Sequence, residues 1–192
     1  MKPTINFPND FPVLQTQRLN LSAYTVEDAL AFFELRSNVE FMHYLGMYPM
    51  KELSEAEERV EATIKSFDER EGISWKISLK NNAELIGYIG FWRIDFSNSR
   101  AEVGFGIHPT HQQKGYMLEA LKEVVRFGFE TLNIHSVMAD IDPNNTGSVK
   151  LLKKAQFRKE AHLRESYYFD GEFTDSDYYC MINSDFLQLQ SQ

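Results

Sequence analysis

Apolar and polar residues alternate with a period of two along much of this chain, and stretches of helical period interrupt them. Within residues 18–23 the apolar positions Leu19, Leu21 and Ala23 alternate with polar ones, the pattern of a half-buried strand. Thr25, with Asp28 three residues on, marks the start of a helix predicted to reach about Ser37. Ser54 and Glu57 read as a second capping box, opening a helix whose Val60, Ile64 and Phe67 recur at helical spacing. Ile73, Trp75, Ile77 and Leu79 alternate as a strand that ends at the turn pair Asn81 and Asn82. Further strands are predicted over residues 85–94 and 100–107, joined by a polar turn at 95–99. The period then changes, and Leu118, Leu121, Val124, Val125 and Phe129 form one apolar face of a long helix. A short strand over 136–141 follows. Asn144 or Asn145 then caps a helix carrying Val149, Leu151, Leu152 and Ala155, and two strands around Asp170 and Gly171 end the pattern.

That order of elements implies a mixed α+β domain built around one sheet. No internal repeat, low-complexity tract or Gly/Ser linker divides it. The expected organisation is an extended N-terminal arm over 1–13, a single domain over 14–184 and a C-terminal tail over 185–192. No stretch approaches the roughly 20 apolar residues of a membrane helix, and the opening residues lack the apolar core of a secretory signal. No membrane partner is expected, and the cytoplasm is the expected compartment. The single cysteine, Cys180, excludes an intramolecular disulfide and sits in an alternating run that suits a small buried hydrophobe. The five histidines form no ligand spacing, and Pro109 interrupts the pair His108 and His111, so no metal is expected. A formal net charge of -8 argues against nucleic acid as a partner. The same charge attracts cationic partners such as amines or basic protein tails, or serves solubility alone.

The chemistry concentrates where the strand Glu102, Val103, Gly104, Phe105, Gly106, Ile107 runs into His111, Gln112, Gln113, Lys114, Gly115, Tyr116 and Met117. A strand feeding a glycine-bearing loop that opens a long helix directs backbone N–H groups and the positive helix end at one spot. Gly115 lets the main chain approach an anion without a Cβ in the way. The spacing fits neither the Walker-type loop nor the dinucleotide fingerprint. From the residues alone, the junction is either an anion cradle or an ordinary glycine-bearing loop.

The run GFGIHPTHQQKGYMLEAL, with NNTGSVKLLKKAQF some thirty residues on, resembles the coenzyme-A-binding core of the GNAT N-acetyltransferases. The segments LQTQRLNL and LRESYYFDGEFTDSDYY are similar to the branch that acetylates ribosomal-protein N-termini, so the likeness runs from about Leu14 to Ile182. It implies the GNAT fold: a mixed central sheet whose middle strands splay apart, with flanking helices and the acetyl-pantetheine arm lying in the V. By this resemblance Phe105, Gly106 and Ile107 lend a strand edge to the arm. Gln112, Gln113, Lys114, Gly115, Tyr116 and Met117 cradle the pyrophosphate, and acetyl-CoA is the co-substrate. The chain departs from the family pattern at three places. Gln113 stands where a second glycine is common, Met117 where a small residue is usual, and Gln156 where glycine precedes Phe157. A long side chain at Met117 is expected to crowd the phosphates.

Acetyl transfer to an amine needs a base, an oxyanion donor and a proton for the departing thiolate. The resemblance gives Glu102 the position of a carboxylate base; a structurally paired carboxylate is the other reading. Asn145 and Ser148 lie one helical turn apart on one face. The resemblance assigns Asn145 to the pantetheine arm and Ser148 to protonation of the sulfur. Tyr116, Tyr167 and Tyr168 are alternative acids that no spacing singles out. The aromatics from Phe41 to Tyr48 and from Tyr167 to Phe169 line an acceptor pocket or belong to the core. Three readings follow: acetylation of a protein N-terminal α-amine, as in a ribosomal protein; acetylation of a small amine; or an acyl-CoA-binding module without turnover. Sheet edges and the terminal hairpin offer surfaces for a homodimer.

Overall fold

Alternation along the chain is realised as pairing: across residues 4–190, those described in the computed structural model, the strands join into one eight-stranded sheet. The first three residues of the arm and the last two of the tail lie outside the described residues. The strands are β1 (Leu14–Gln15), β2 (Leu19–Ser22), β3 (Ile73–Leu79), β4 (Asn82–Asp95), β5 (Arg100–Ile107), β6 (Ser136–Ile141), β7 (Arg158–Phe169) and β8 (Glu172–Ile182). The helices are α1 (Ala29–Ser37), α2 (Val39–Met42), α3 (Leu53–Asp68), α4 (Tyr116–Glu130), α5 (Thr146–Lys154) and α6 (Asn183–Gln190). Sheet order is β1-β2-β3-β4-β5-β6-β8-β7, and β5 with β6 is the parallel pair. A parallel step requires a crossover, which α4 supplies.

The two faces of the sheet carry separate apolar clusters. Val124, Val125, Leu121 and Phe127 of α4 pack with Val103, Ile89, Phe91 and Trp75 on one face. On the other, Phe32 and Leu35 of α1 meet Ala56 and Val60 of α3, with Tyr88 of β4 against them. Trp75 is fully buried, its ring 5.9 Å from Phe11, 5.7 Å from Phe127 and 6.4 Å from Phe91. Its indole Nε1 donates to Pro12 O at 2.6 Å, which satisfies the one polar atom this burial takes from water.

Local chemistry sets the element ends, in places differently from the sequence pattern. The second capping box is Glu52 and Glu55 rather than Ser54 and Glu57: Glu55 Oε1 accepts from the Lys51 and Glu52 amides, both at 3.1 Å. The helix therefore starts at Leu53, ahead of the serine. α2 is a single turn, too short for periodicity to announce, and Asn38 caps it through Oδ1 to the Phe41 amide at 3.0 Å. Residues of the arm pack onto the domain, with Ile5 buried and Phe7 and Phe11 within 5.4 Å and 5.0 Å of the Phe67 ring. At the far end α6 stacks Phe186 on Phe129 of α4 at 5.0 Å. Asp170 and Gly171 both have positive φ, 50° and 87°, as a two-residue hairpin turn that follows the sheet twist requires. Burial holds the Cys180 thiol up at about 11, an inert interior group.

β7 and β8 are tied by a buried carboxylate. Asp177, 4% exposed, takes Lys159 Nζ at 2.6 Å and His162 Nδ1 at 2.7 Å. Burial alone would raise its pKa, but the hydrogen bonds from Lys159 and His162 outweigh that and hold the carboxyl below the ordinary range. A depressed folded pKa contributes stability above the unfolded value and loses it as pH falls through the folded one. Stability should therefore decline from about pH 5 downward toward pH 2, and Asp177→Asn should flatten that decline. Urea midpoints across this range measure the effect; an unchanged acid slope in the variant would contradict it.

Candidate active site

The sheet opens at its centre because β5 and β6 pair only at their start. Arg100, Ala101 and Glu102 face Ser136, Val137 and Met138, and no pairing follows. β4 continues to pair with β5 out to Ile107, so β5 stays extended with one side unpaired. Ser99 O accepts from the Ser136 amide at 3.4 Å, which fixes the direction of alternate peptide groups along β5. Those of Phe105 and Ile107 project into the gap, whereas Gly106 turns its own toward Tyr88 of β4. Of the three residues nominated for the edge, two thus present free main-chain groups.

The loop after β5 supplies a second set of free donors. His111 and Gln112 amides are taken by His108 O at 2.8 Å and Pro109 O at 3.1 Å. From Gln113 to Leu118 no backbone amide finds an acceptor among the described residues, and the ladder of α4 begins with the Glu119 amide on Gly115 O at 3.1 Å. Gln113 has φ of 59° and Gly115, the N-cap, has φ of 80°. Left-handed residues alternating with ordinary ones turn successive amides to one side, the concavity that binds anions. Here lies the physical reason a glycine is common at position 113: a glutamine there costs about 1–2 kcal/mol of backbone strain. Gln156 is similar, with φ of 67°. It ends α5 in a Schellman turn, the Phe157 amide on Leu152 O and its own on Lys153 O, both at 3.0 Å. Met117 does not crowd the loop. Its side chain turns inward, 8% exposed, into the cluster under the sheet. The free amides, the left-handed glycine and the open strand edge together fit a diphosphate on an amide-bearing arm.

Strand alternation places Glu102, Gly104 and Gly106 on the face away from α4. A Cβ at Gly106 would lie 2.6 Å from Phe41 Cζ, so only glycine admits that ring. Glu102 is 7% exposed and pairs with Arg93 Nη1 at 3.2 Å. The Arg93 side chain is 77% exposed, so this ion pair is weakly held and leaves the carboxylate free to exchange partners. Met138 and Asp140 of β6, with Tyr178 and Cys180 of β8, continue the same face in register. Burial, and then the Asp140 carboxylate that its hydroxyl contacts, hold the Tyr178 phenol above its usual pKa, with the Glu102 charge adding to this. The tip of the β7–β8 hairpin reaches across to the loop after α2: Tyr167 OH donates to Gly46 O at 3.0 Å, and Tyr48 OH to Asp170 Oδ1 at 2.7 Å.

Each nominated residue thus has a place. Asn145 caps α5, its Oδ1 accepting the Ser148 amide at 3.0 Å, which leaves the Asn145 NH2 group and the Ser148 hydroxyl at the mouth of the helix. Tyr116 lies under the Arg18 guanidinium at 4.6 Å, Tyr167 is engaged with Gly46, and Tyr168 packs on Phe173 at 4.8 Å. Sequence reasoning missed Tyr178 and Asp140, which only strand pairing brings beside Glu102. Among the described residues no group of three or more His, Cys, Asp or Glu side chains is arranged to hold a metal ion.

Comparison with known proteins gives the same answer as the geometry. The family model described as Acetyltransferase (GNAT) domain matches residues 18–158. An uncharacterized N-acetyltransferase of Bacillus subtilis (strain 168), YoaA, is 35% identical over 172 residues, covering 90% of this chain and 97% of its own length. The [ribosomal protein uS5]-alanine N-acetyltransferase of Escherichia coli (strain K12) is 33% identical over 93 residues, 48% of each chain. The crystal structure of spermidine N-acetyltransferase from Vibrio cholerae, in complex with CoA and spermine, matches with a TM-score of 0.78 at 24% identity, covering 88% of this chain and 98% of that one. The chain belongs to the GNAT acetyltransferases, and it is an acetyl-CoA-dependent N-acetyltransferase acting on an amine.

Proposed function

We propose that the acceptor is a weakly basic amine, the α-amine of a protein N-terminus such as that of a ribosomal protein, acetylated by direct transfer in the cytoplasm. The observation that carries this reading is Glu102: a single buried carboxylate at the last β5–β6 pair, held among the described residues only by an exposed arginine. An α-amine with a pKa of about 7.7–8.0 is roughly a tenth neutral at pH 7, whereas a lysine near 10.4 is neutral in a few molecules per ten thousand. One carboxylate base suits the first far better than the second.

In this reading acetyl-CoA supplies the acetyl thioester. Phe105 and Ile107 offer edge groups to its arm, Asn145 donates to the same arm, and the amides of Gln113 to Leu118 face its diphosphate. Glu102 takes the proton that the amine loses as its nitrogen bonds to the acetyl carbon, and the Ser148 hydroxyl returns a proton to the departing sulfur. Tyr178 stays protonated beside Glu102 and orients the amine by hydrogen bonding.

A small polyamine is the second reading. It is favoured by Asp140, which adds a carboxylate to the face of Glu102, and by a likeness to a spermidine N-acetyltransferase that extends over most of the chain. Radiolabelled acetyl-CoA incubated with peptides bearing free or blocked N-termini, and separately with spermidine, tests both. Label on free N-termini alone supports the first reading, label on spermidine alone supports the second, and label confined to lysine side chains overturns both.

A further inference from the structure

Arg18 precedes the loop residue Lys114 by 96 positions, yet it is built into the loop. Its target is Glu119, in the first turn of α4. The Glu119 carboxylate receives Thr16 Oγ1 at 2.5 Å, the Arg18 amide at 2.8 Å, Arg18 Nε at 2.7 Å and Arg18 Nη2 at 2.6 Å. The other guanidinium nitrogen, Nη1, donates to Lys114 O at 3.0 Å, and the guanidinium plane lies over the Tyr116 ring. Nη2 is also the nearest atom to the position a Cβ on Gly115 would take, at 3.4 Å. One arginine from the start of the sheet therefore touches the carbonyl before Gly115, the ring after it and the acid one turn on.

The electrostatics explain why such a clasp is needed. The first turn of a helix favours negative charge, so an acid there competes with any anion the free amides would bind, and repels it. Four donors turn the Glu119 carboxylate toward the corner between β1 and β2 and cancel its charge. An anion cradle also fails if a carbonyl points into it, and Nη1 draws the Lys114 carbonyl outward. We propose that Arg18 is a positioning residue for the diphosphate of coenzyme A: by neutralising Glu119 and holding the Lys114 carbonyl aside, it keeps the loop after β5 receptive to a doubly charged anion. This rests on the reading of that loop as the diphosphate cradle.

Calorimetric titration of the full chain separates the two ideas, with coenzyme A and with pantetheine, which lacks the diphosphate, as probes. Arg18→Met is expected to weaken coenzyme A by about tenfold or more and to leave pantetheine binding unchanged. In steady-state assays KM for acetyl-CoA should rise while kcat at saturation holds. Glu119→Gln, which removes the charge and retains Arg18, should bind coenzyme A at least as tightly as the parent, and the double variant should recover most of the loss. Should Arg18→Met prove unfolded by circular dichroism, the Glu119→Gln titration alone decides, since weaker coenzyme A binding there overturns the proposal. Equal loss of coenzyme A and pantetheine in Arg18→Met, or no loss of either, overturns it too. If the unmodified chain itself shows no preference for coenzyme A over pantetheine, the cradle reading fails and takes the clasp with it.

Discussion

Glu102→Gln is expected to lower kcat for acetyl transfer by about 10²- to 10⁴-fold, the range a positioned general base contributes. KM for acetyl-CoA should barely move, because position 102 lies on the opposite face from the loop that receives the phosphates. Glutamine is isosteric and can still accept from Arg93, whose own side chain is 77% exposed, so the fold should survive with little change in melting temperature. The variant's pH profile is the informative readout. The residual activity of the glutamine variant should follow only the neutral fraction of the amine, rising through about pH 8 for an α-amine. A kcat within a few-fold of the parent would leave Glu102 as a structurally paired carboxylate and move the proton chemistry to Asp140 or to water.

Trp75→Ala should cost about 3–5 kcal/mol of stability, the size of truncating a large buried aromatic. The ring is fully buried and is surrounded by Phe11 of the arm, Phe91 of β4 and Phe127 of α4. Removing it leaves a cavity that three separate elements would have to collapse into, and it leaves Pro12 O without its donor. Because Phe127 anchors α4 from below, the helix that opens at Gly115 would lose part of its support as well. Urea unfolding gives the number directly, and a loss under about 1 kcal/mol would mean that the site repacks far more readily than close-packed interiors do.

Most elements longer than five or six residues were legible from the alternation and its switch to helical period, because burial on one face imposes both; the eight-residue α6, expected as part of a tail, was not. Their ends were less so. Glu52 does the capping at α3 through Glu55, and no serine signal points to it. The arm and α6 contribute Ile5 and Phe186 to the core, contacts that depend on residues far away in sequence. At the candidate site the strand–loop–helix was readable because its logic is local: a strand, a glycine and a helix start. The splay of β5 from β6 came only through family resemblance, since nothing in the residues of either strand states where pairing stops. Tyr178 and Asp140 were invisible because strand register alone makes them neighbours, and Arg18 and Glu119 because only the packing of α4 beside the start of β2 brings them together. The departures at Gln113, Gln156 and Met117 were visible but not their resolution. Two glutamines accept left-handed backbone, and a methionine at the first turn of α4 points its length into the core.

The free amides after β5 are the feature on which substrate binding depends, and amide NMR observes them one by one. On titrating ¹⁵N-labelled protein with coenzyme A, the arrangement predicts the largest downfield shifts at Gln113 through Leu118, with smaller ones at Phe105 and Ile107 as the strand edge gains partners. Saturating shifts elsewhere, with those amides unmoved, would contradict it.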